Sequence, residues 1–579
     1  MTGVMKTIFM SVNAQLAEGY NVSYTSAAAL TGVPLIISAV TGFGCLVASR
    51  VVGKRPLYLG SLLSVFIGAV WNTNVSTSYA QCMAARVFQG LGWGAFDSLV
   101  LGSIQDTFYE HERGLRVAIY SVVSVATTWG PPLIGGVASE TQVGFGLQFT
   151  ILSSFFVIAV PAIALGAPET VFDRAYTLAA TPATSSTTAT SKFKASMSFM
   201  PRHGMLSLDT LYNYAVKMKP YTYHYNDKER NTNFATLLLQ APRAMIAPTT
   251  LLLFIVSFLP YCALWGLSSS LSLLFNPLPF DRSPREIGIL LTGPWLLSTA
   301  AVAVFSFGLL PWWRQAHGLS GMGGNWMRST NGRLSWLRNQ WNNISIKNFT
   351  FTPKVHMAAI AAGSLCVFVG VLTFGLHIDS SVTVKTEHII TTAEEAASAP
   401  STTESIPSIY ALDFLGDRVN FPALSFVLGL LALGAHLLDS ATVRPLIKAS
   451  TSFTSSNLGV ALRNTTDMNA SVSILRTLMA GIFVIATPNV IWTPFSEGQL
   501  RGYCIGVSIA QMVVAASVGT VWWLWGGSND AIRRWDGKVM KLVNLGDATG
   551  ATGIVLNPDA SGQGPFGMRG RNGSFFDTD

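Results

Sequence analysis

Two ionisable residues inside one apolar run pose the chemical question. Arg86 and Asp97 stand eleven positions apart within residues 80–103. At 3.6 residues per turn this is almost three whole turns, so both fall on one helix face, close to Gln89, Gly90 and Gly94. A charge at the depth of a bilayer costs at least ~2.5–3.5 kcal/mol. A polar stripe of this kind must face the protein interior or a wet cavity. An acid there can carry a coupling proton, and Asp97 is the candidate, with Arg86 beside it on the stripe. Asp97 can equally be held by a basic neighbour in a purely structural pair. Further along, His436 and Asp439 are three apart near the end of another run. They either share a proton or mark an interface. Arg476 opens a third run, where it serves as a surface anchor or joins the same chemistry. Trp129, Trp265, Trp295 and Phe305 can contact an apolar solute, pack, or face lipid.

Other chemistries find little support. The five cysteines, at 45, 82, 262, 366 and 504, lie in or beside apolar segments without a C-x-x-C spacing. Metal and redox sites need clustered ligands, so no metal is expected. There is no phosphate-binding G-x-x-x-x-G-K-[ST], no G-x-S-x-G and no H-E-x-x-H. Neither an enzyme nor a cofactor is expected.

The elements that must position these residues are membrane helices. Half of the 579 residues are hydrophobic and only 11% are charged, against about a quarter charged in soluble domains. The mean hydropathy is +0.41. A soluble single domain and a disordered chain are both excluded. Windows of the ~20 apolar residues needed to cross a bilayer recur near 29–49, 57–74, 80–103, 116–138, 144–167, 246–268, 287–310, 356–377, 421–439, 472–492 and 500–525. They are continuous runs, not the alternating strands of a barrel. The chain divides into an N-terminal membrane bundle (1–167), a polar linker (168–245), a C-terminal bundle (246–525) and a tail (526–579).

Basic residues orient the bundle. Loop 311–355 has six Lys/Arg and no acid, loop 50–56 has Arg50, Lys54 and Arg55, and the linker has nine Lys/Arg against five acids. Loop 378–420 has two basic residues against seven acids. The positive-inside rule puts 50–56, 104–115, 168–245, 311–355, 440–471 and the tail in the cytoplasm, with 378–420 opposite. The net charge of +8 then belongs to these loops, and no nucleic-acid partner is expected. Sequons at Asn21 and Asn74 fall outside and are candidate glycosylation sites. Those at Asn343, Asn348, Asn464, Asn469 and Asn572 fall inside. Before the 29–49 helix only Gly3 to Val12 is apolar, about 15 Å of helix, half a bilayer core. Residues 1–18 are therefore expected to be the outer end of an incomplete first helix.

Several of these residues also form known motifs. Arg86-Val-Phe-Gln89-Gly90-Leu-Gly92 resembles the R-x-x-Q-G-x-G signature of the major facilitator superfamily. Phe108-Tyr-Glu-His-Glu112-Arg113-Gly114 is similar to the loop that follows it in fungal members. Gly130-Pro131-Pro132-Leu-Ile-Gly135-Gly136 resembles, with one residue more before Gly135, the G-P-x-x-G-G motif of its proton antiporters, and Pro168-Glu169-Thr170 closes the first half as in fungal relatives. Where the family shows G-x-x-x-D-R-x-G-R-R, only Gly53-Lys54-Arg55 fits; Arg50 stands at the Asp and Leu46 at the first Gly. In the family the Asp belongs to a gating charge network; here Arg50, Lys54 and Arg55 either keep a gating role or only set topology. The resemblance implies an all-α polytopic fold of two six-helix bundles with the first helix incomplete. It also implies a secondary transporter of the drug/proton antiporter kind, exporting a small organic solute in exchange for protons. Its partners would be the lipid bilayer, the solute and protons, in a plasma, vacuolar or other organelle membrane. An importer of the same fold, or a non-transporting sensor or scaffold, remains open.

Overall fold

In the computed structural model, the described residues are 2–49, 52–75, 78–108, 110–139, 146–167, 234–276, 280–316, 358–379, 420–440, 458–491, 499–521 and 531–540. The linker up to 233, the loop 380–419, the tail beyond 540, Arg50 and the Pro168-Glu169-Thr170 triplet lie outside them. The described residues are helical, without strands. They comprise α1 (Thr2–Thr7), α2 (Asn13–Gly19), α3 (Tyr24–Ala48), α4 (Arg55–Thr73), α5 (Tyr79–Thr107), α6 (Glu110–Trp129), α7 (Pro131–Ser139) and α8 (Gly146–Gly166). After the linker come α9 (Phe234–Ile246), α10 (Pro248–Phe275), α11 (Pro284–Leu290) and α12 (Thr292–Ala316). The helix Ala358–Asp379 is α13. The last four are α14 (Phe421–Leu438), α15 (Leu458–Ile491), α16 (Gln499–Val521) and α17 (Ala531–Met540).

Among the described residues, ten helical stretches are long and apolar enough to cross a membrane. They make the chain an integral, multi-pass membrane protein. α5 is not among the ten, although its 29 residues would rise over 40 Å. It buries Arg86, Gln89 and Ser98 in protein, packed between α3 and α4, so it needs less hydropathy than a helix that faces lipid.

The N-terminal half packs α5 between α3 and α4, with α8 on α4. In the other half α10 lies on α15 and α16, and α12 on α14. α3 against α15, α6 against α12 and α7 against α11 join the halves. At the end away from Lys54 and Arg55 the joints are backbone-close. A Cβ on Gly32 would stand 2.7 Å from the Gly481 carbonyl oxygen, and one on Gly136 would collide with the Pro284 carbonyl. That end is closed.

Three expectations change. Residues 2–19 form two short helices broken at Ile8–Val12, where a single helix fragment was expected. The break coincides with Arg86 taking the Met5 carbonyl. Residues 234–246, assigned to the linker by composition, form α9, whose Ala241 is buried against α3, α5 and α15. α15 begins at Leu458, not near 472. Residues 464–471 are polar yet mostly buried, because they face other helices; hydropathy alone hides such a turn. Asn464 and Asn469 therefore lie inside a helix and not in a cytoplasmic loop.

Candidate functional site

Close backbone approach puts the α5 stripe in place. A Cβ on Gly90 would stand 2.7 Å from the Pro34 carbonyl oxygen, so only glycine lets α5 meet α3 there. Arg86 is fully buried and spends its fork on backbone. Nε donates to the Leu30 carbonyl (2.9 Å), and Nη1 to the Met5 carbonyl (2.9 Å) and to Gln89 Oε1 (2.6 Å). Gln89 Nε2 donates in turn to the Gly68 carbonyl at 2.9 Å. The guanidinium lies 4.8 Å from the Phe9 ring centroid and 5.1 Å from that of Trp93. Arg86 thus clamps α1, α3 and α5. Its helix face is shared with Asp97, but the two do not meet.

Asp97 faces a cavity of about 180 Å³ between the halves. Its partner is Lys6 of α1, whose Nζ lies 2.6 Å from Oδ1 and 2.5 Å from Oδ2. Ser38 Oγ donates to Oδ2 at 3.0 Å. The Asp97 side chain is 22% exposed and that of Lys6 12%, so the carboxylate is the more open partner. Lys6 also lies 5.9 Å from the Trp93 ring, and both cations approach one indole. Sequence reasoning missed Lys6. The signal was there: a lone lysine in an otherwise apolar N-terminal run.

The other half contributes a second pair. Arg476 Nη2 donates to Asp439 Oδ1 at 2.6 Å, and its guanidinium sits 5.5 Å from the Tyr261 ring. Arg476 lies well inside α15, so it is no surface anchor at a helix start. Trp129 Nε1 donates to His436 Nε2 at 3.0 Å and packs on Trp265, centroids 5.6 Å apart. His436 thus joins α14 to α6 across the halves. Trp129, Trp265, Tyr261, His436 and both ion pairs line the cavity. Trp295 and Phe305 do not; Trp295 packs near Gly130. Larger in volume, a groove of about 530 Å³ runs along α11, α12 and α14. Its walls, Ile289, Leu296 and Phe426, face outward, and it holds neither ion pair. The groove carries the Arg282–Glu286 pair at its rim (3.6 Å), whereas the smaller cavity gathers both ion pairs, His436 and the rings of Trp129, Tyr261 and Trp265.

The remaining motif residues do not line the cavity. Gly130 and Pro131 interrupt α6–α7, Gly135 packs on Gln148, and Gly136 on Pro284. At the basic end, Gly53 has φ 91°, a conformation that favours glycine. Lys54 Nζ reaches Asp106 Oδ2 at 2.5 Å, Arg55 Nη2 donates to the Ala164 carbonyl (2.8 Å) and Arg113 Nη2 to the Gln105 carbonyl (3.1 Å). A carboxylate therefore meets Lys54 here from the end of α5, although the sequence has Arg50 where the family has Asp. Asn21 and Asn74 are exposed at the opposite end.

Residues 1–326 match the sequence profile of the Major Facilitator Superfamily. This is more than half of the chain. The chain belongs to the major facilitator superfamily. An uncharacterised MFS-type transporter of Schizosaccharomyces pombe is 29% identical over 141 residues, 24% of each chain. MFS-type transporter ppz2 of Metarhizium majus is 28% identical over 130 residues, 22% of each. The matches thus span about a quarter of these relatives. Among solved structures, the proton:xylose symporter XylE is 12% identical, with 90% of this chain and 92% of that one covered and a TM-score of 0.46.

Proposed function

We propose that this superfamily member is a secondary transporter. Its two halves rock about the central cavity to move a small organic solute, and Asp97 carries a proton that drives export by exchange. The observation that supports this reading is the Lys6–Asp97 pair facing the cavity at 2.5 Å. One carboxylate can hold Lys6 or a proton, and each choice leaves Lys6 placed differently. A ligand or proton that binds the two arrangements unequally shifts the population between them. The Asp439–Arg476 pair gives the other half a similar element. The transporter character of the relatives supports the reading over an enzyme or a non-transporting scaffold.

Purified full chain in sealed vesicles, screened with organic solutes under an imposed pH gradient, tests it. Asp97→Asn keeps size and hydrogen bonding but cannot titrate. It is expected to insert normally and to lose gradient-driven transport, while solute exchange without a gradient persists. Gradient dependence equal to wild type in Asp97→Asn would eliminate Asp97, and Asp439 or His436 would take its place. Transport running with the proton gradient would replace export by import.

A further inference from the structure

The C-terminal helix α17 has two faces with different chemistry. Ile532, Asp536 and Met540 are buried and lie four residues apart, which puts them on one stripe. Met540 joins Ala244 and Ala247 beside α9, Leu253 of α10, and Met468 and Val472 of α15. Asp536 Oδ1 accepts from the Thr249 backbone N–H at 3.0 Å, and its other oxygen from the Thr249 hydroxyl. On the opposite side of the helical wheel stand Arg534 and Lys538, with Trp535 beside them on the flank. All three are exposed, Trp535 at 59%.

The Asp536–Thr249 contact fixes the depth of this helix. Thr249 lies in the first turn of α10, and the spanning stretch begins at Pro248. α17 therefore lies at the level where a spanning helix enters the bilayer, at the same end as Lys54 and Arg55. At that level a tryptophan flanked by Arg and Lys is at home: the indole prefers the headgroup layer, and the cations meet lipid phosphates and carboxylates. In bulk water the same large apolar ring would gain nothing from being turned outward. The face has no acid, since Asp536 points into the protein.

We propose that the outward face of α17, formed by Arg534, Trp535 and Lys538, is a docking surface for anionic lipid headgroups. It would tie the C-terminal segment to the membrane surface beside α9. Because α9 touches α3 and α15 at once, lipid held by α17 would bear on the basic-end joint between the halves.

The test uses the full chain in nanodiscs of phosphatidylcholine alone and of phosphatidylcholine with phosphatidylserine. Backbone hydrogen exchange of residues 531–540 is the readout. Exchange at least several-fold slower in the anionic discs is expected, and the difference should shrink in high salt. The double variant Arg534→Ala, Lys538→Ala should remove this lipid dependence and leave exchange in α10 and α15 unchanged. Equal exchange in both discs would overturn the proposal in favour of a helix held by protein contacts alone. So would a lipid dependence that survives the double variant.

Discussion

At the scale of single residues, Arg86 and Asp97 share a helix and a stripe but serve different ends. Arg86 donates to two carbonyls and one side-chain amide from its planar fork; Asp97 meets a cation and open space. A lysine keeps the charge but offers a single ammonium in place of the fork. Arg86→Lys should therefore leave buried acceptors unpaired, each costing about 1–3 kcal/mol. The expected result is a melting temperature in detergent lowered by several degrees and transport lost at every pH. An unchanged melt with normal transport would show that the clamp does not need the guanidinium.

Among the elements, glycines decide how closely the halves approach. Gly136 on α7 meets Pro284 of α11, and Gly288 of α11 meets Pro132. Overfilling a tight contact costs typically 1–3 kcal/mol, and here the strain falls on one conformation only, the one closed at this end. Gly136→Val should therefore favour opening there. Thr128 lines the cavity and can report the change. With the native cysteines replaced, Thr128→Cys should react with an impermeant thiol reagent from the Asn21 side in the Gly136→Val background and be protected with Gly136 present. Protection in both would mean that α7 and α11 do not form the gate.

For the whole molecule the question is which end faces the cytoplasm. Lys54, Arg55 and Arg113 gather at one end, and the exposed Asn21 and Asn74 stand at the other. Tags inserted at 185 and 395 should be cleaved by protease from opposite faces of the membrane. In a glycosylating host, endoglycosidase should shift the mobility of the wild type but not that of Asn21→Gln, Asn74→Gln. Cleavage of both tags from one face would overturn the two-bundle topology that the basic loops imply.

Composition and hydropathy were enough for the class of the protein, because the bilayer demands long apolar helices whatever their neighbours are. Local spacing was enough for the α5 stripe and for the break at Gly130-Pro131, since both are helix-internal geometry. Pairing was not. Lys6 and Asp97 are 91 residues apart, and Asp439 and Arg476 are 37 apart. No local rule links such positions; the assembled bundle, with α1 laid on α6 and α10 packed on both α14 and α15, brings them together. The start of α15 escaped hydropathy for a related reason. Residues such as Asn464 and Asp467 look like loop in sequence, and they are tolerated in a membrane helix because other helices, not lipid, surround them. Which polar residues face protein is a property of the assembled bundle, and so is the cavity that Asp97 faces.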